Sequence, residues 1–200
     1  MIIVGAGNLG KLILDQMLMD QQISEDSAVV FFDEKTNSKL IFDKYPVVNN
    51  IETVKEYCIG KSEKYFVAIG NSRIRNRYDT IMSQIPGIIP MNIISSYSRI
   101  SNFSKICEHL YLGFLTGIYH SCVVGYCNII HSYVKIDHGV VIGNYVNIST
   151  GVTLLADCQI GDFTFVGANA IVLPGVIIGR NCYITAGTIV RENMNDYETR

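Results

Sequence analysis

The chain has 200 residues, of which 48% are hydrophobic and 17% charged, and its formal net charge at pH 7 is -2. This composition is sufficient for a buried core in one or two domains and excludes a disordered chain. The small negative charge argues against a general nucleic-acid binder, because such a protein needs a basic surface.

Neither a membrane helix nor a metal-binding cysteine motif is expected. The longest stretch without Asp, Glu, Lys or Arg, residues 109–134, contains three His and several Gly, unlike the roughly 20 mostly apolar residues of a spanning helix. The chain starts with an apolar segment that has no basic region before it, which argues against a signal peptide. The six Cys form no Cys-x-x-Cys pair. We therefore expect reduced thiols, no metal and a cytoplasmic location.

Predicted strands and helices alternate along residues 1–90. In chain order the predictions are strand 1–4, helix 11–19, strand 28–32, helix 51–57, strand 65–69, helix 74–83 and strand 88–89. This alternation is typical of a parallel sheet with helices on its faces, here a small Rossmann-like α/β domain. Residues 91–99 are interpreted as the linker to the second half.

A glycine-rich loop follows the first predicted strand and opens the first helix. Its sequence, GAGNLG at 5–10, has the G-x-G-x-x-G pattern, which lets backbone N–H groups approach a phosphate at a helix N-terminus. The residues expected to bind a ligand here are Gly5, Gly7, Asn8 and Leu9. A tight turn that binds nothing is the alternative interpretation.

Polar residues near the ends of two later strands are expected to face the same crevice. Asp33, with Glu34 beside it, ends the second strand about 20 residues beyond the loop, where it can bind a ribose hydroxyl. Asn71 follows the strand at 65–69, and Arg75 lies in the next helix, so both are candidates to hold phosphate or sugar. A solvated helix face is the alternative for Arg75.

Taken alone, these motifs would indicate an NAD-dependent dehydrogenase. A dinucleotide-binding fold needs two βαβαβ halves, however, and about 90 residues have room for only one. The first domain is therefore predicted to bind a mononucleotide, such as a nucleotide-linked sugar.

The second half has a period of six residues. From Ile100 to Val190, every sixth residue is Ile, Leu or Val, at sixteen successive positions. The fifth position of each hexad is mostly small or β-branched, and Cys122, Cys158 and Cys182 occupy it, so we expect them in the core rather than as nucleophiles. The second position is often Gly, and we expect it to relax a corner of the chain.

A period of six matches neither an α-helix nor a flat strand, whose periods are 3.6 and 2. It fits a prism with three sides of six residues, or 18 per coil, whose interior is filled by the aliphatic residue at position one. The predicted second domain is this all-β prism, over residues 100–200.

This hexad pattern resembles that of the hexapeptide-repeat acyltransferases, which implies a left-handed parallel β-helix. With GAGNLG at 5–10, FFDE at 31–34, AIGN at 68–71 and Asp137-His138, the chain resembles the NeuD/PglD-type sugar acyltransferases over nearly its whole length. The resemblance implies a bacterial enzyme of glycan synthesis that moves an acetyl group from acetyl-CoA to a sugar, usually a nucleotide-linked one. It also implies a homotrimer with active sites between neighbouring subunits.

The resemblance also implies site residues in the β-helix. His138, in the segment HGVVIG at 138–143, matches the catalytic histidine, and Asp137 is the candidate to orient it. The positions that match the acetyl-CoA site are Asn147, Ala156, Gly167, Ala168, Ala186 and Gly187. The period supports one of these independently: residue 156 is one coil beyond 138, so the Ala156 N–H is expected beside His138, where it can meet an oxyanion. His120, one coil earlier, is also expected to border this site.

The predicted reaction is direct attack of an acceptor on acetyl-CoA, with neutral His138 as the general base, a role that contributes about 10²–10⁴-fold. The expected acceptor is the amino group of a nucleotide-linked amino sugar, and a sugar hydroxyl, as on sialic acid, is the alternative. A nucleotide-sugar binder without catalysis is a further hypothesis, because Gly139 stands where some members have an acidic residue and Asn147 where many have His.

Overall fold

The computed structural model describes residues 1–200 and divides the chain into two compact units, Met1–Asn92 and Ile93–Arg200. Each unit has its own cluster of buried apolar side chains. The prediction of a linker at 91–99 differs from this division, because most of that segment belongs to the second unit. Ile94 pairs in register with Leu112, so the six-residue frame begins one step earlier than the sequence prediction placed it.

The first unit is built on a six-stranded sheet. Its elements in chain order are β1 (Ile2–Val4), α1 (Asn8–Met19), β2 (Val30–Phe32), β3 (Leu40–Ile41), β4 (Tyr45–Val48), α2 (Ile51–Cys58), β5 (Glu63–Val67), α3 (Ser72–Ser83) and β6 (Ile88–Pro90). The strand order is β3-β4-β2-β1-β5-β6, and every neighbouring pair is parallel except β3 and β4. The predicted Rossmann-like α/β domain is therefore confirmed, with an antiparallel hairpin added at one edge.

Local sequence explains the main elements of this unit. β1 is apolar and buried along its length, as expected for a central strand of a covered sheet. Ile13, Leu14 and Met17 recur at helical spacing and form the buried face of α1. The side chains of Asn50 and Asn71 accept backbone N–H groups and so cap α2 and α3. No helix in the protein is both long enough and apolar enough to cross a membrane.

The hairpin of β3 and β4 has no counterpart in the sequence prediction. Its turn includes Phe42 and Asp43, both with positive φ, at 51° and 53°. A positive φ is uncommon for Phe, and the turn lacks the Asn-Gly or Asp-Gly pair that signals a hairpin. The sequence therefore contains no local marker for it.

The second unit is a three-sided parallel β-helix. Its strands are β7 (Ile93–Ile94), β8 (Arg99–Ile100), β9 (Lys105–Ile106), β10 (Tyr111–Leu112), β11 (Gly117–Ile118), β12 (Val123–Val124), β13 (Ile129–Ile130), β14 (Lys135–Ile136), β15 (Val141–Ile142), β16 (Asn147–Ile148), β17 (Thr153–Leu154), β18 (Gln159–Ile160), β19 (Phe165–Val166), β20 (Ile171–Val172), β21 (Ile177–Ile178), β22 (Tyr183–Ile184) and β23 (Ile189–Val190). Every third strand joins the same sheet, which gives three parallel sheets. Ile118 pairs with Ile136 and Ile136 with Leu154, which confirms the predicted coil of 18 residues.

Positions one and five of the hexads form the interior. Every position-one residue from Leu112 to Val190 is buried, and so is every position-five residue from Leu110 to Cys182. Cys122, Cys158 and Cys182 are among them as free thiols. Burial raises the pKa of Cys158 to about 12, which suits a core thiol rather than a nucleophile.

The glycines at position two have a different role from the predicted one. None of them has a positive φ, so no corner conformation requires them. Instead, a Cβ on Gly161 would lie 2.6 Å from the carbonyl oxygen of Gly179 in the next coil. The left-handed conformation recurs at position four, at every sixth residue from His109 to Gly187. Glycine is therefore favoured at position two because adjacent coils approach too closely there for a side chain.

Candidate active site and ligand cavity

The glycine loop joins β1 to α1 through close backbone contacts. Gly5 has a φ of +104°, and a Cβ there would lie 2.8 Å from the carbonyl oxygen of Ala68. A Cβ on Gly10 would collide with the carbonyl oxygen of Gly5, so only glycine lets the helix pack directly on the loop. Gly7 is the N-cap of α1 and supplies no side-chain cap. The first turn of the helix thus resembles the anion-binding turns of nucleotide-binding loops.

A cavity of about 330 Å³ lies against this loop, where the carboxyl ends of β1, β2 and β5 meet. The predicted residues Gly5, Gly7, Asn8, Leu9 and Asp33 all line it. The structure therefore brings five of the eight predicted nucleotide-site residues to one cavity, and their contact with a ligand stays a prediction.

Asp33 links the glycine loop to the end of β2. Its Oδ2 accepts the backbone N–H of Ala6 at 2.9 Å, and its Oδ1 accepts the backbone N–H of Lys35 at 2.9 Å. The carboxylate therefore orders the loop as well as lining the cavity. Carboxylate oxygens have further lone pairs, so these bonds are compatible with the predicted contact to a ribose hydroxyl.

Glu34 does not line the cavity but holds Tyr78, which does. The Tyr78 hydroxyl donates to Glu34 Oε2 at 2.7 Å. Burial and this bond to a carboxylate raise the pKa of Tyr78 to about 12, so the phenol keeps its proton. Tyr78 also packs edge-on against Phe32, with ring centroids 5.9 Å apart. The sequence prediction missed both aromatic residues, because an aromatic residue in an apolar pattern is usually assigned to the core.

Arg75 does not face the cavity, contrary to the prediction that it holds phosphate or sugar. Its side chain is 0% exposed, and its Nη1 donates to the carbonyl oxygens of Ile69 at 2.8 Å and Gly70 at 3.0 Å. It stabilises the turn after β5 instead. Asn71 is exposed, but its Oδ1 accepts two N–H groups in the first turn of α3. Both residues therefore stabilise the backbone at the edge of the cavity, and neither of them lines it.

The candidate base lies at the corner between β14 and β15. The His138 Nδ1 lies 2.9 Å from Asp137 Oδ1, which also accepts the backbone N–H of His138 at 2.8 Å. The backbone N–H, and after it the ring, hold the pKa of Asp137 below its usual value, so the carboxylate stays charged. When Nδ1 donates to this carboxylate, Nε2 keeps the lone pair that a general base needs. The side chains are 46% and 40% exposed, so the pair is accessible to a substrate.

Residues one coil away on each side complete this corner. The backbone N–H of Asp157 donates to the His138 carbonyl at 3.0 Å, so Ala156 lies beside His138, as the 18-residue spacing predicts. The Ala156 carbonyl accepts the Gly175 N–H at 2.9 Å, whereas no other coil accepts the N–H of Ala156. On the opposite side, the ring of His120 stacks on the ring of His138.

Gly139, directly after the candidate base, is the position where the resemblance implies an acidic residue in some proteins. Its φ is +71°, and a Cβ there would collide with Oδ1 of Asp157. The carboxylate of the next coil therefore occupies the space that a side chain at this position would need. The carboxylate that contacts the His138 ring is that of Asp137.

The predicted acetyl-CoA residues do not all lie at this corner. Ala168 and Ala186 follow β19 and β22, at a different edge of the prism, and the Gly187 N–H donates to the Ala168 carbonyl at 2.8 Å. Gly167 precedes Ala168 at the same edge. Asn147, in β16, is only 5% exposed, so its side chain offers little surface to a ligand. Apart from Asn147, the predicted donor-site residues are thus divided between two edges of the prism.

Two family models match parts of the chain. Residues 1–80 match the PglD N-terminal domain, and residues 157–192 match the bacterial transferase hexapeptide (six repeats). Among curated proteins, the GDP-perosamine N-acetyltransferase of Escherichia coli O157:H7 is 28% identical over 199 residues, which cover 96% of this chain and 78% of the relative.

Solved structures share the fold of the whole chain. PerB from Caulobacter crescentus, in complex with CoA and GDP-perosamine, has a TM-score of 0.86 at 23% identity, with 98% of this chain and 90% of PerB covered. The acetyltransferase domain of PglB from Neisseria gonorrhoeae, in complex with acetyl coenzyme A, has a TM-score of 0.85 at 20% identity, with 99% and 93% covered. This likeness confirms the predicted pairing of a Rossmann-like domain with a left-handed β-helix. Both family matches and the curated relative confirm the predicted resemblance to the NeuD/PglD-type sugar acyltransferases.

Proposed function

We propose that this protein transfers the acetyl group of acetyl-CoA to the amino group of a nucleotide-linked amino sugar. The observation that carries the proposal is the imidazole of His138, held by Asp137 at an exposed corner of a hexapeptide β-helix. The relatives named perosamine N-acetyltransferases support a GDP-linked amino sugar as the first acceptor to test. The enzyme is expected in the cytoplasm of a bacterium, where acetyl-CoA and nucleotide sugars are made.

The proposed reaction needs no covalent enzyme intermediate. The neutral acceptor amine attacks the carbonyl carbon of the thioester, and His138 Nε2 takes the proton that the nitrogen loses as the C–N bond forms. Asp137 stabilises the resulting imidazolium. The Ala156 N–H donates to the oxyanion of the tetrahedral intermediate. The C–S bond then breaks, and the imidazolium protonates the departing CoA thiolate, which returns His138 to its neutral form.

The cavity of the first unit is the proposed nucleotide site. Backbone N–H groups of the glycine loop and the first turn of α1 would hold the phosphates, because they carry the positive end of the helix dipole. Asp33 would accept a hydrogen bond from the ribose. Phe32 and Tyr78 provide an apolar surface beside these polar groups.

The complete donor site is proposed to need a neighbouring copy of the chain. His138 and Ala156 lie at one edge of the prism, whereas Ala168 and Ala186 lie at another. A closed homotrimer would let the second edge of one copy face the first edge of the next, with the pantetheine arm between them. Large apolar side chains are exposed on the second unit, among them Phe103 at 82%, and are available for contacts between copies.

The test is CoA release from acetyl-CoA with GDP-, UDP- and dTDP-linked amino sugars, measured for the wild type and His138→Ala. We expect turnover with one of these sugars and a loss of at least about 10²-fold in kcat for the variant. Tyr145→Ala, which removes an aromatic ring at the third edge of the prism between β15 and β16, is the control and should retain activity. Turnover only with sugars that lack the amine would support the hydroxyl-acceptor alternative. Binding of acetyl-CoA without turnover would support a catalytically silent binder.

A further inference from the structure

The ring of His138 is contacted at both its edge and its face. Asp137 Oδ1 contacts the Nδ1 edge at 2.9 Å. The imidazole of His120 lies over the face, with ring centroids 5.2 Å apart and an angle of 19° between the planes. His120 is itself held by its neighbour, because its Nδ1 lies 3.1 Å from the Ser121 hydroxyl. The stacked rings of His120 and His138 form what we call the imidazole pair.

The contact with Asp137 alone does not determine the plane of the base. A single hydrogen bond at Nδ1 permits the exposed ring to rotate about that contact, and such rotation moves Nε2, the atom that must meet the acceptor. A flat ring one coil away opposes this rotation of the His138 ring. The sheet fixes the distance between the backbones of adjacent coils, so the two rings stay in contact. The backbone also ties the pair together, since the Gly139 N–H donates to the His120 carbonyl at 3.1 Å.

We propose that His120 is a positioning residue, whose flat ring holds the plane of the His138 imidazole so that Nε2 points at the acceptor nitrogen. The catalytic meaning of this inference rests on the proposed function, whereas the packing of the two rings does not. His120 also lines a groove of about 710 Å³ in the same unit, so the pair lies at the border of a space that a substrate can enter. A displacement of the base by about 1 Å can cost as much as 10²-fold in rate.

Other groups near the imidazole pair do not provide this support. Asp157, in the following coil, lies over Gly139. The thiols of Cys122 and Cys158 are buried in the interior, and burial raises the pKa of both, so they stay neutral. The flat surface against His138 is therefore supplied by His120, and any planar side chain of similar size should replace it.

The experiment compares His120→Ala with His120→Phe. Phe retains a flat ring but cannot carry a proton. We expect His120→Ala to lower kcat by at least about 10-fold with little change in the KM for acetyl-CoA, and His120→Phe to restore most of that loss. Tyr145→Ala removes one ring of another stacked pair, Tyr145 on Phe163 with centroids 5.2 Å apart, at the third edge of the prism between β15 and β16. It is the control and should keep the wild-type kcat.

A second measurement does not depend on turnover. The protein contains four His, so a sample labelled with ¹³C at histidine gives few ring signals. Those of His138, assigned with His138→Asn, should lie upfield in the wild type and in His120→Phe, and move downfield in His120→Ala. Equal kcat loss in the Phe and Ala variants would overturn the proposal, because the imidazole itself would then be needed. Unchanged His138 signals in His120→Ala would also overturn it. If the wild type shows no turnover of acetyl-CoA with any of the sugars, the proposed function fails. The ring signals of His138 then still test whether His120 packs on its face.

Discussion

At the residue scale, the local backbone brings the side chains of Asp137 and His138 into contact. Neighbouring residues in a strand point to opposite faces, which argues against such a pair. Both residues follow β14, however, at a corner where the chain turns, and the Asp137 carboxylate accepts the backbone N–H of His138. The contact with the ring Nδ1 follows from this turn, and it leaves Nε2 unused on a side chain that is 46% exposed.

The first residue-scale prediction concerns Asp137→Asn. The amide can still accept the backbone N–H of His138, but it has no negative charge to stabilise an imidazolium. We expect kcat to fall by about 10- to 100-fold, with the KM for acetyl-CoA little changed. Steady-state kinetics at saturating acceptor check this. Asp157→Asn removes a carboxylate that lies over Gly139 rather than on the ring, and it should remain active. Equal losses in the two variants would contradict the assignment.

The side chain of Arg75 is buried, although the sequence pattern does not predict it. It is the largest fully buried side chain of the protein, and two carbonyl oxygens accept its Nη1 hydrogen atoms. Residues 73, 75 and 77 are all Arg, and helical spacing alone does not reveal which of them turns inward. A buried guanidinium is tolerated because its donors are satisfied.

At the element scale, the β-helix depends on how closely its coils approach one another. The strands are only two residues long, so each coil is held mainly by its contacts with the coils on either side. Glycine at position two removes a side chain where two backbones meet. Residues at position four adopt positive φ even when they are large, as for Leu115 at 52°. Cooperative stacking of the coils offsets this local strain.

The element-scale prediction compares two alanine substitutions in the same β-helix. In Gly161→Ala, the new Cβ would lie 2.6 Å from the backbone of the next coil, whereas at Gly117 no atom lies within 4 Å of a Cβ. We expect Gly161→Ala to lower the free energy of unfolding by about 1–3 kcal/mol, and Gly117→Ala to change it by less. Denaturant unfolding monitored by circular dichroism measures both. A similar stability for the two variants would show that the coils are not crowded at position two.

At the scale of the whole molecule, the chain has two separate cores. One cluster of buried side chains consists of first-unit residues, including Ile2 and Phe32, and another consists of second-unit residues, including Ile136 and Leu154. The second cluster follows the 18-residue coil from one end of the β-helix to the other. Each core therefore has a basis for folding without the other.

The whole-molecule prediction is that residues 93–200 fold alone and still bind CoA. We expect the isolated β-helix to show a cooperative thermal transition, since its core contains no side chain of the first unit. It should bind CoA in calorimetry but lose the affinity for nucleotide that the first unit supplies in the full chain. Aggregation or an unfolded spectrum would show that the first unit is required for folding. Retained nucleotide affinity would place that site elsewhere.

The sequence by itself determined the features that are local or periodic. Sixteen aliphatic residues at intervals of six indicate the β-helix, because neither an α-helix nor a flat strand explains a repeat at that interval. The glycine loop and the alternation of strands and helices specify the first unit. The adjacent residues Asp137 and His138, with Ala156 placed 18 residues after His138, predicted the corner of the candidate active site.

Only the tertiary structure decided features that depend on contacts between distant residues. Tyr78 meets Glu34 across 44 positions of the chain, and no motif connects the two. The Arg75 side chain points inward, where the carbonyl oxygens of Ile69 and Gly70 accept its Nη1 hydrogen atoms. Asn147 is buried in β16. The stacking of His120 on His138 required the orientation of two rings, which the period of 18 residues leaves free. Periodicity specifies where each backbone segment lies, whereas the packing of neighbouring segments determines which way its side chains point and what they contact.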